Sequence, residues 1–282
     1  MAALPPGFVE SASGPVRLIV SEAWAEAIGA LDLRRGFAAL LERREVAGEG
    51  RGAVSLLEVR GPHQRLLVRS YLHGGLLGPL LGRAYLGLGR ALTELRVTAS
   101  LRAAGAPVPE PVLAAGEPLF GPFWAPLIAT VYEEGTIDGL AFLQSAPDRP
   151  TLLAAARAAG RAVRVFHDAG GRHPDLHIKN LLLRPRDAGP EVLVIDLDRA
   201  RVTPGLTPGE RMAQIMRLFR SLLKRELLGG VGPRGLAAFF GAYCGSDRSL
   251  RRALLRRVGR EQRKVALHAL RYRKGGSARP PH

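Results

Sequence analysis

The sequence predicts an α+β fold of two lobes, with a small antiparallel β-rich lobe over residues 1–130 and a mainly helical lobe over residues 131–282. Residues 46–72 indicate the first lobe, because they contain two or three β-rich segments separated by Gly-rich and Gly-Pro turns. Apolar residues that recur at helical spacing from residue 151 onward indicate the second. With 282 residues, 46% of them hydrophobic, the chain is long enough to bury a core in each lobe.

In the first lobe, a helix is predicted to follow the β-hairpin. Residues 88–104 (LGRALTELRVTASLRAA) place leucines and a valine near helical spacing. The pattern stops at Gly105, and the prolines that follow prevent continuation of the helix. Residues 125–135 (APLIATVYEEG) then form an apolar strand that runs into a polar turn, where we place the boundary between the lobes.

The second lobe begins with a long helix and a hairpin. Residues 151–169 have a clear apolar face and predict a buried helix with Thr151 as its N-cap. A β-hairpin is predicted next, with LLL as its first strand, RPRDAGPE as the turn and VLVIDLD as its second strand. Asp196 lies at the end of that second strand. Residues 211–227 and 248–274 have helical patterns, so this lobe is expected to be mostly α-helical.

Composition indicates an anionic partner. The formal net charge is +16 and the isoelectric point is about 11.2, which favours phospholipid, a phosphorylated substrate or nucleic acid. Aromatic residues make up 6% of the chain and are not interleaved with basic ones, so no nucleic acid is expected. No lysine precedes Lys179, and a general bias toward arginine is an alternative explanation for part of the charge.

The cysteine content and the N-terminal sequence favour a cytoplasmic protein. Cys244 is the single cysteine, which excludes an internal disulfide framework and fits a reducing compartment. The N-terminal residues lack a basic segment followed by a long apolar one, and no stretch of the sequence approaches 18 uninterrupted apolar residues. We therefore expect neither export nor a membrane-spanning segment.

The stretch HPDLHIKNLLL, residues 173–183, is the candidate catalytic segment. Asp175 and Asn180 have the D-x-x-x-x-N spacing of a kinase catalytic loop, in which Asp orients a hydroxyl and Asn binds Mg²⁺. A polar turn before a strand is the alternative. The hairpin that follows favours catalysis, because it brings Asp196 as a second oxygen ligand for a Mg²⁺ that bridges the phosphates of ATP. This order of elements is that of a protein-kinase-like fold.

The first lobe contains approximate versions of the other kinase elements. Gly52 and Val54 match the end of a Gly-rich phosphate-covering loop, although its first two glycines are replaced. Arg69 occupies the position of the strand lysine, and arginine is always charged and binds phosphate bidentately. Glu94 in the predicted helix is the natural partner of Arg69, and an exposed Glu94 paired with Arg90 or Arg96 is the alternative.

Two further residues near the motifs have open roles. His173 is expected to brace the catalytic loop through hydrogen bonds, since no cluster of metal ligands surrounds it. Asp198 lies where a protein kinase has glycine. It is interpreted either as a second metal ligand or as a partner of Arg199 or Arg201.

Taken in order, these segments resemble the lipopolysaccharide kinase family, especially its 3-deoxy-D-manno-octulosonic acid (Kdo) kinases. The resemblance extends over roughly residues 46–228 and rests on five segments: VRSYLHGGLLG, LGLGRALTELRVTASLRAAGAPVPEPV, HPDLHIKNLLL, VLVIDLDRAR and RLFRSLLKRE. It implies ATP-dependent transfer of a phosphoryl group to a sugar hydroxyl of the Kdo–lipid A region of lipopolysaccharide, on the cytoplasmic face of the inner membrane.

The resemblance also assigns roles to residues. Asp175 becomes the catalytic base, Asn180 and Asp196 the Mg²⁺ ligands, and Arg69 the phosphate-binding cation held by Glu94. An anionic glycolipid is the implied substrate, and a membrane surface is an expected partner of this peripheral protein. The degenerate Gly-rich loop leaves the roles of Gly52 and Val54 open.

Two alternatives to a Kdo kinase remain at this point. The first is a kinase of the same fold that acts on another hydroxyl, such as that of a heptose, an antibiotic or a protein. The second is a pseudokinase that binds nucleotide or a partner without transfer, which the missing strand lysine favours. The presence of Asp175, Asn180 and Asp196 together argues against the pseudokinase, because a binding module has no need of a base.

Overall fold

A computed structural model describes residues 4–31, 54–59, 65–72 and 82–259. The chain divides into two compact units. The first contains the residues up to Glu134 together with Asp196–Ala200, and the second contains Gly135–Ile195 and the residues from Arg201 onward. The sequence predicted a boundary between residues 130 and 131. In the structure the first unit extends to Glu134 and also contains the short segment Asp196–Ala200.

The first unit is built on an antiparallel sheet. Its seven strands are β1 (Phe8–Ser13), β2 (Val16–Ser21), β3 (Val54–Glu58), β4 (Arg65–Ser70), β5 (Tyr85–Leu86), β6 (Pro111–Phe120) and β7 (Phe123–Val131). They are arranged in the order β1-β2-β6-β7-β4-β3, and β5 pairs with β7 beyond the end of β4. The hairpin predicted over residues 46–72 corresponds to β3 and β4. Gly52 lies outside the described residues.

Two helices cover opposite faces of this sheet. The helix α1 (Ala25–Gly29) packs on one face and α2 (Gly89–Ala103) on the other. Successive residues of β2 show the period of two that a strand imposes, since Leu18 and Val20 belong to the α1 side and Ile19 to the α2 side. The predicted helix over residues 88–104 is confirmed to within one residue at each end.

The second unit is mainly helical. Its helices are α3 (Gly139–Gln144), α4 (Arg149–Asp168), α5 (Pro208–Lys224), α6 (Leu228–Cys244) and α7 (residues 248–259). Short strands accompany them: β8 (Ile137–Asp138), β9 (Gly171–Arg172), β10 (Leu181–Arg184), β11 (Glu191–Val194) and β12 (Arg201–Val202). No helix in the described ranges has the length and apolar character needed to cross a bilayer.

The start of α4 corrects one prediction. The sequence indicated Thr151 as the N-cap, whereas the helix begins at Arg149 and its N-cap is Asp148. The Asp148 carboxylate accepts a hydrogen bond from the Thr151 backbone N–H at 2.8 Å. Pro150 explains the earlier start, because proline lacks an N–H and is tolerated in the first turn.

The predicted hairpin after the catalytic segment is confirmed as β10 and β11. The two strands pair antiparallel, with Leu181 opposite Val194 and Arg184 opposite Glu191. The Ile195 N–H donates to the Asn180 carbonyl oxygen at 3.0 Å, so the end of the hairpin is tied back to its beginning. The residue after Ile195, where the chain passes to the first unit, is Asp196.

A partly buried polar network joins α4, α5 and α6 of the second unit. His167 Nδ1 lies 2.7 Å from the Tyr243 hydroxyl, and Arg211 donates to Asp168 at 2.7 Å. Burial lowers the pKa of His167 to about 3, and the positive charge of Arg211 acts in the same direction. The imidazole is therefore neutral in the folded protein over the physiological pH range.

We expect stability to fall in acid because of His167. The unfolded chain takes up a proton on this histidine below about pH 6.5, whereas the folded protein resists protonation until about pH 3. The stabilising contribution is thus complete above pH 6.5 and decreases as the pH falls, by about 1.4 kcal/mol per pH unit. Urea unfolding of the wild type and His167→Gln between pH 7 and 4.5 measures this slope. Equal slopes for the two proteins would contradict it.

Candidate active site

In the first unit, a buried ion pair connects the sheet to α2. The Arg69 guanidinium, on β4, donates to both carboxylate oxygens of Glu94 on α2, and its bond to Oε2 is 2.6 Å long. The Tyr71 hydroxyl also donates to Glu94 Oε2, and the Arg69 guanidinium lies 5.0 Å from the centre of the Tyr71 ring. The contact predicted between Arg69 and Glu94 is present, and the alternative of an exposed Glu94 is wrong.

Burial and the neighbouring groups shift the pKa values of this pair in opposite directions. Burial raises the pKa of Glu94, whereas the charge of Arg69 and the hydrogen bond from the Tyr71 hydroxyl lower it. Burial alone would lower the pKa of Arg69, but the neighbouring Glu94, Tyr71 and Asp196 raise it above its ordinary value. The guanidinium is therefore charged at every pH at which the protein is folded.

Asp196 lies beside the same guanidinium. Its Oδ1 is 3.8 Å from Arg69 Nη1, and its side chain is 48% exposed. Its backbone is in the left-handed region, with φ of 60°. Residues other than glycine seldom adopt this conformation, and aspartate and asparagine tolerate it best. An exposed carboxylate on a strained backbone is typical of a functional position.

Asp198 forms an ion pair with Arg90, whereas the sequence suggested Arg199 or Arg201 as its partner. The Arg90 guanidinium, in the first turn of α2, bonds both oxygens of the Asp198 carboxylate, through Nε at 2.7 Å and through Nη2. Burial would raise the pKa of Asp198, but the bonds from Arg90 and its charge lower it. The principal partner is therefore Arg90 and neither Arg199 nor Arg201.

Two tyrosines hold Arg90 in place. Its guanidinium lies 4.9 Å from the centre of the Tyr71 ring and 5.3 Å from that of Tyr85, and it donates to the Tyr85 hydroxyl at 2.7 Å. Tyr71 therefore contacts both Arg69 and Arg90. Sequence reasoning missed this cluster. The sequence contains both members of the ion pair, the second aspartate of DLD and the arginine in the first turn of the predicted helix, but no local pattern pairs them.

In the second unit, the catalytic segment is a rigid turn with an exposed carboxylate. Residues Ile178–Asn180 form a 3₁₀ turn, and Asn180 is buried. The Asn180 side-chain amide donates to the Asp175 carbonyl oxygen at 2.9 Å. The Asp175 side chain itself is 77% exposed. The backbone of the segment is thus fixed while the carboxylate remains accessible.

His173 braces this segment, as the sequence predicted. Its Nδ1 accepts from the Asp175 N–H at 3.1 Å, so the proton lies on Nε2, which donates to the Ile195 carbonyl oxygen at 3.1 Å. Two residues of α5 that sequence reasoning missed complete the support. The Gln214 side chain accepts from the His173 N–H at 2.7 Å, and the Ser221 hydroxyl accepts from the Ile178 N–H at 3.0 Å.

Asn180 and Asp196 have the donor chemistry that Mg²⁺ requires. Because the Asn180 amide nitrogen is used in the bond to Asp175, the amide oxygen is left as the group available to a cation. In the first unit, the exposed Asp196 carboxylate has oxygens of the kind that Mg²⁺ prefers. Within the described residues no cluster of three His, Cys, Asp or Glu side chains forms an all-protein metal site. Mg²⁺ usually takes few protein ligands together with phosphates and water.

An apolar cavity of about 370 Å³ lies in the second unit. Its walls come from α3, α4, α5 and α6 and include Phe142, Phe219, Phe239 and Ile178. Ile178 belongs to the turn that carries Asn180, so the cavity borders the catalytic segment from the apolar side. It lacks the charged groups that a nucleotide requires, and it is not the proposed phosphate site.

Comparison with known proteins gives the class to which this site belongs. The model of the lipopolysaccharide kinase (Kdo/WaaP) family matches residues 41–243. The 3-deoxy-D-manno-octulosonic acid kinase of Vibrio cholerae is 30% identical over 64% of this chain and 74% of the relative. The kinase of the same name from Stenotrophomonas maltophilia is 33% identical over 64% of this chain and 70% of the relative.

A solved structure has the same fold as this chain. That of WaaP in complex with acyl carrier protein aligns with a TM-score of 0.59 and 24% identity, covering 86% of this chain and 94% of the other. This chain shares the fold of that structure, and the family match makes it a phosphotransferase. The chain belongs to the lipopolysaccharide kinase (Kdo/WaaP) family. The predictions of family, fold class and enzyme class are confirmed, and the pseudokinase alternative is set aside.

We expect Arg69 and Glu94 to act as one unit. Arg69→Gln, Glu94→Gln and the double variant should each lose a similar, large fraction of activity, because removing either partner leaves the other buried and uncompensated. Phosphate transfer and unfolding free energies of the four proteins measure the coupling.

A second ion pair offers a matched control for that cycle. Arg65 lies on the same strand as Arg69 and bonds Glu134 at 2.7 Å, but that pair is exposed. Arg65→Gln should therefore change activity little. Strictly additive losses for Arg69 and Glu94 would show that the pair does not act as a unit.

Proposed function

We propose that this protein transfers the γ-phosphoryl group of ATP to a hydroxyl of a Kdo sugar in the Kdo–lipid A region of lipopolysaccharide. The observation that carries the proposal is the family match over residues 41–243, a range that contains Arg69, Glu94, Asp175, Asn180 and Asp196. The similarity to Kdo kinases indicates the acceptor. The exposed Asp175 carboxylate on a fixed backbone supports it, since a base must reach the acceptor hydroxyl.

The residues have distinct roles in this reaction. Asp175 accepts the proton of the sugar hydroxyl as its oxygen attacks the γ-phosphorus. Arg69, kept charged and oriented by Glu94, neutralises phosphate charge, and Asn180 and Asp196 hold Mg²⁺. When bound, Mg²⁺ offsets the negative charge of the ATP phosphates during transfer. The protein contributes chiefly alignment and fixed charge, because phosphoryl transfer needs little covalent participation.

Separate substitutions distinguish the base from a metal ligand. Asp175→Asn should reduce transfer by at least a hundredfold and leave ATP affinity almost unchanged, because the base contacts the acceptor. Asp196→Asn should weaken Mg²⁺-dependent ATP binding together with the rate, since it removes a charge from the metal site. The assay combines ATP, Mg²⁺ and Kdo-bearing lipid A, and mass spectrometry detects one added phosphate.

Three results would contradict these assignments. Normal turnover by Asp175→Asn would remove Asp175 as the base, and an unchanged Mg²⁺ requirement would remove Asp196 as a ligand. Equal phosphorylation of an acceptor that lacks Kdo would show that the substrate is another hydroxyl. Asp187→Asn, at an exposed position in the turn between β10 and β11, serves as a surface control.

We also propose that the protein works as a peripheral protein at the cytoplasmic face of the inner membrane. In α7 of the second unit, Leu250 and Leu254 are buried, whereas Arg251, Arg252 and Arg256 are exposed. This arrangement agrees with the amphipathic pattern predicted for residues 248–274, of which the part from residue 260 lies outside the described residues. Exposed arginines near an anionic bilayer are attracted to it.

Replacement of Arg251, Arg252 and Arg256 with Gln should reduce binding to anionic vesicles roughly tenfold at low salt. Vesicle sedimentation measures the binding, and activity on a soluble Kdo fragment should not change. Replacement of the exposed Arg157, Arg161 and Arg217 with Gln tests whether the effect depends on location or only on net charge. Equal vesicle binding by wild type and the α7 variant would make this helix an ordinary part of the second unit.

A further inference from the structure

Three large apolar side chains lie exposed in a row at one end of the sheet of the first unit. Leu86 on β5 is 74% exposed, and Phe120 at the end of β6 is 65% exposed. Phe123, at the start of β7, is partly exposed and lies between them. We name these three residues the apolar stripe.

The strand register places all three on one face. Leu86 is directly opposite Phe123, and Phe120 is opposite Phe123 on the other side of β7. Side chains of directly opposed residues point to the same side of a sheet. The Phe120 and Phe123 rings are 5.0 Å apart between centres. The stripe is therefore one continuous apolar surface across three strands and not a set of scattered exposed residues.

The neighbouring residues restrict what this surface can bind. Pro118 near the end of β6 and Pro122 in the β6–β7 turn limit the backbone conformations beside the stripe. Trp124 and Tyr85, opposite each other on the other face of the same strands, pack against the core on the α2 side and are not part of the stripe. Within residues 82–88 and 116–126 the charged side chains are Arg83 and Glu117, so the local surface carries little charge.

The same segment leads into the candidate active site. Leu86 precedes Arg90 by four residues, and Arg90 bonds Asp198 and the Tyr85 hydroxyl. Asp198 follows the proposed metal ligand Asp196 by two residues, and all of these residues belong to the first unit. The stripe is thus anchored to the element that carries Asp196.

We infer that the apolar stripe inserts into the lipid surface that holds the acceptor, an inference that rests on the proposed function. A glycolipid acceptor is held in a bilayer, and shallow insertion of Leu and Phe side chains is a usual way for a protein to lie at that interface. The net charge of +16 favours the approach to an anionic bilayer. A protein partner would use the same apolar area, but it would not account for the lipid-linked acceptor.

A fluorescent probe at Leu86 tests this insertion directly. The single native cysteine, Cys244, is buried, so Leu86→Cys offers one accessible thiol for a polarity-sensitive label. Labelling without lipid verifies that the position is exposed. Vesicles of phosphatidylethanolamine and phosphatidylglycerol should then shift the emission to the blue, and the shift should persist at about 1 M salt, where charge attraction is screened. A label at Val202→Cys, 43% exposed in the second unit, should show no shift.

Substitution of the whole stripe gives the second measurement. Leu86→Ser, Phe120→Ser and Phe123→Ser combined should lower high-salt vesicle binding about a hundredfold. The same variant should phosphorylate lipid-embedded acceptor more slowly and keep its activity on a soluble Kdo fragment. The matched control replaces Val165, Val202 and Leu223 with Ser, because these exposed apolar residues lie in the second unit. Thermal unfolding verifies that each variant folds.

The outcomes separate this inference from the proposed function. No blue shift at Leu86, with wild-type activity on the soluble fragment, would overturn insertion and leave the stripe as a surface for a protein partner. A blue shift that also appears at Val202 would overturn it as non-specific adsorption. Failure of the wild type to phosphorylate any Kdo-bearing acceptor would overturn the proposed function, whatever the label shows.

Discussion

The first unit depends on one buried carboxylate. Glu94 lies under the sheet, where an uncompensated charge would be costly, and it is tolerated because Arg69 and the Tyr71 hydroxyl bond it. These bonds fix α2 against β4. They also orient the Arg69 guanidinium so that its other side lies near Asp196. The same contact therefore fixes the position of α2 against β4 and the direction of the cation that we propose for phosphate binding.

Tyr71 links the Arg69–Glu94 pair to a second ion pair, that of Arg90 with Asp198. Its ring lies beside both Arg69 and Arg90, so the two guanidinium groups share an aromatic neighbour. Arg69 faces Asp196 and Arg90 bonds Asp198, and the chain between these aspartates is consequently held at two points. The left-handed backbone at Asp196 persists because its surroundings determine it, which is the usual condition for strain at a functional position.

The sequence predicted those parts of the structure that have local signals. The α2 helix, the β10–β11 hairpin and the bracing role of His173 follow from spacing and turn chemistry. The partners of Asp198 and His173 could not be predicted, because Arg90 and Gln214 are distant in sequence and polar contacts of that range have no periodic signature. Threonine is a residue type favoured at N-caps, which is why the sequence indicated Thr151. Asp148 is the N-cap instead, because Pro150 can occupy the first turn of the helix.

The arginine on β4 has a consequence for chemical probes. Kinases are commonly approached with electrophiles that acylate the amine of the strand lysine next to the nucleotide phosphates. A guanidinium that remains protonated is not a nucleophile, and no lysine precedes Lys179 in this chain. A nucleotide bound against Arg69 would therefore meet a cation that such reagents do not modify. Inhibitors of this protein would have to rely on reversible contacts or on a different reactive side chain.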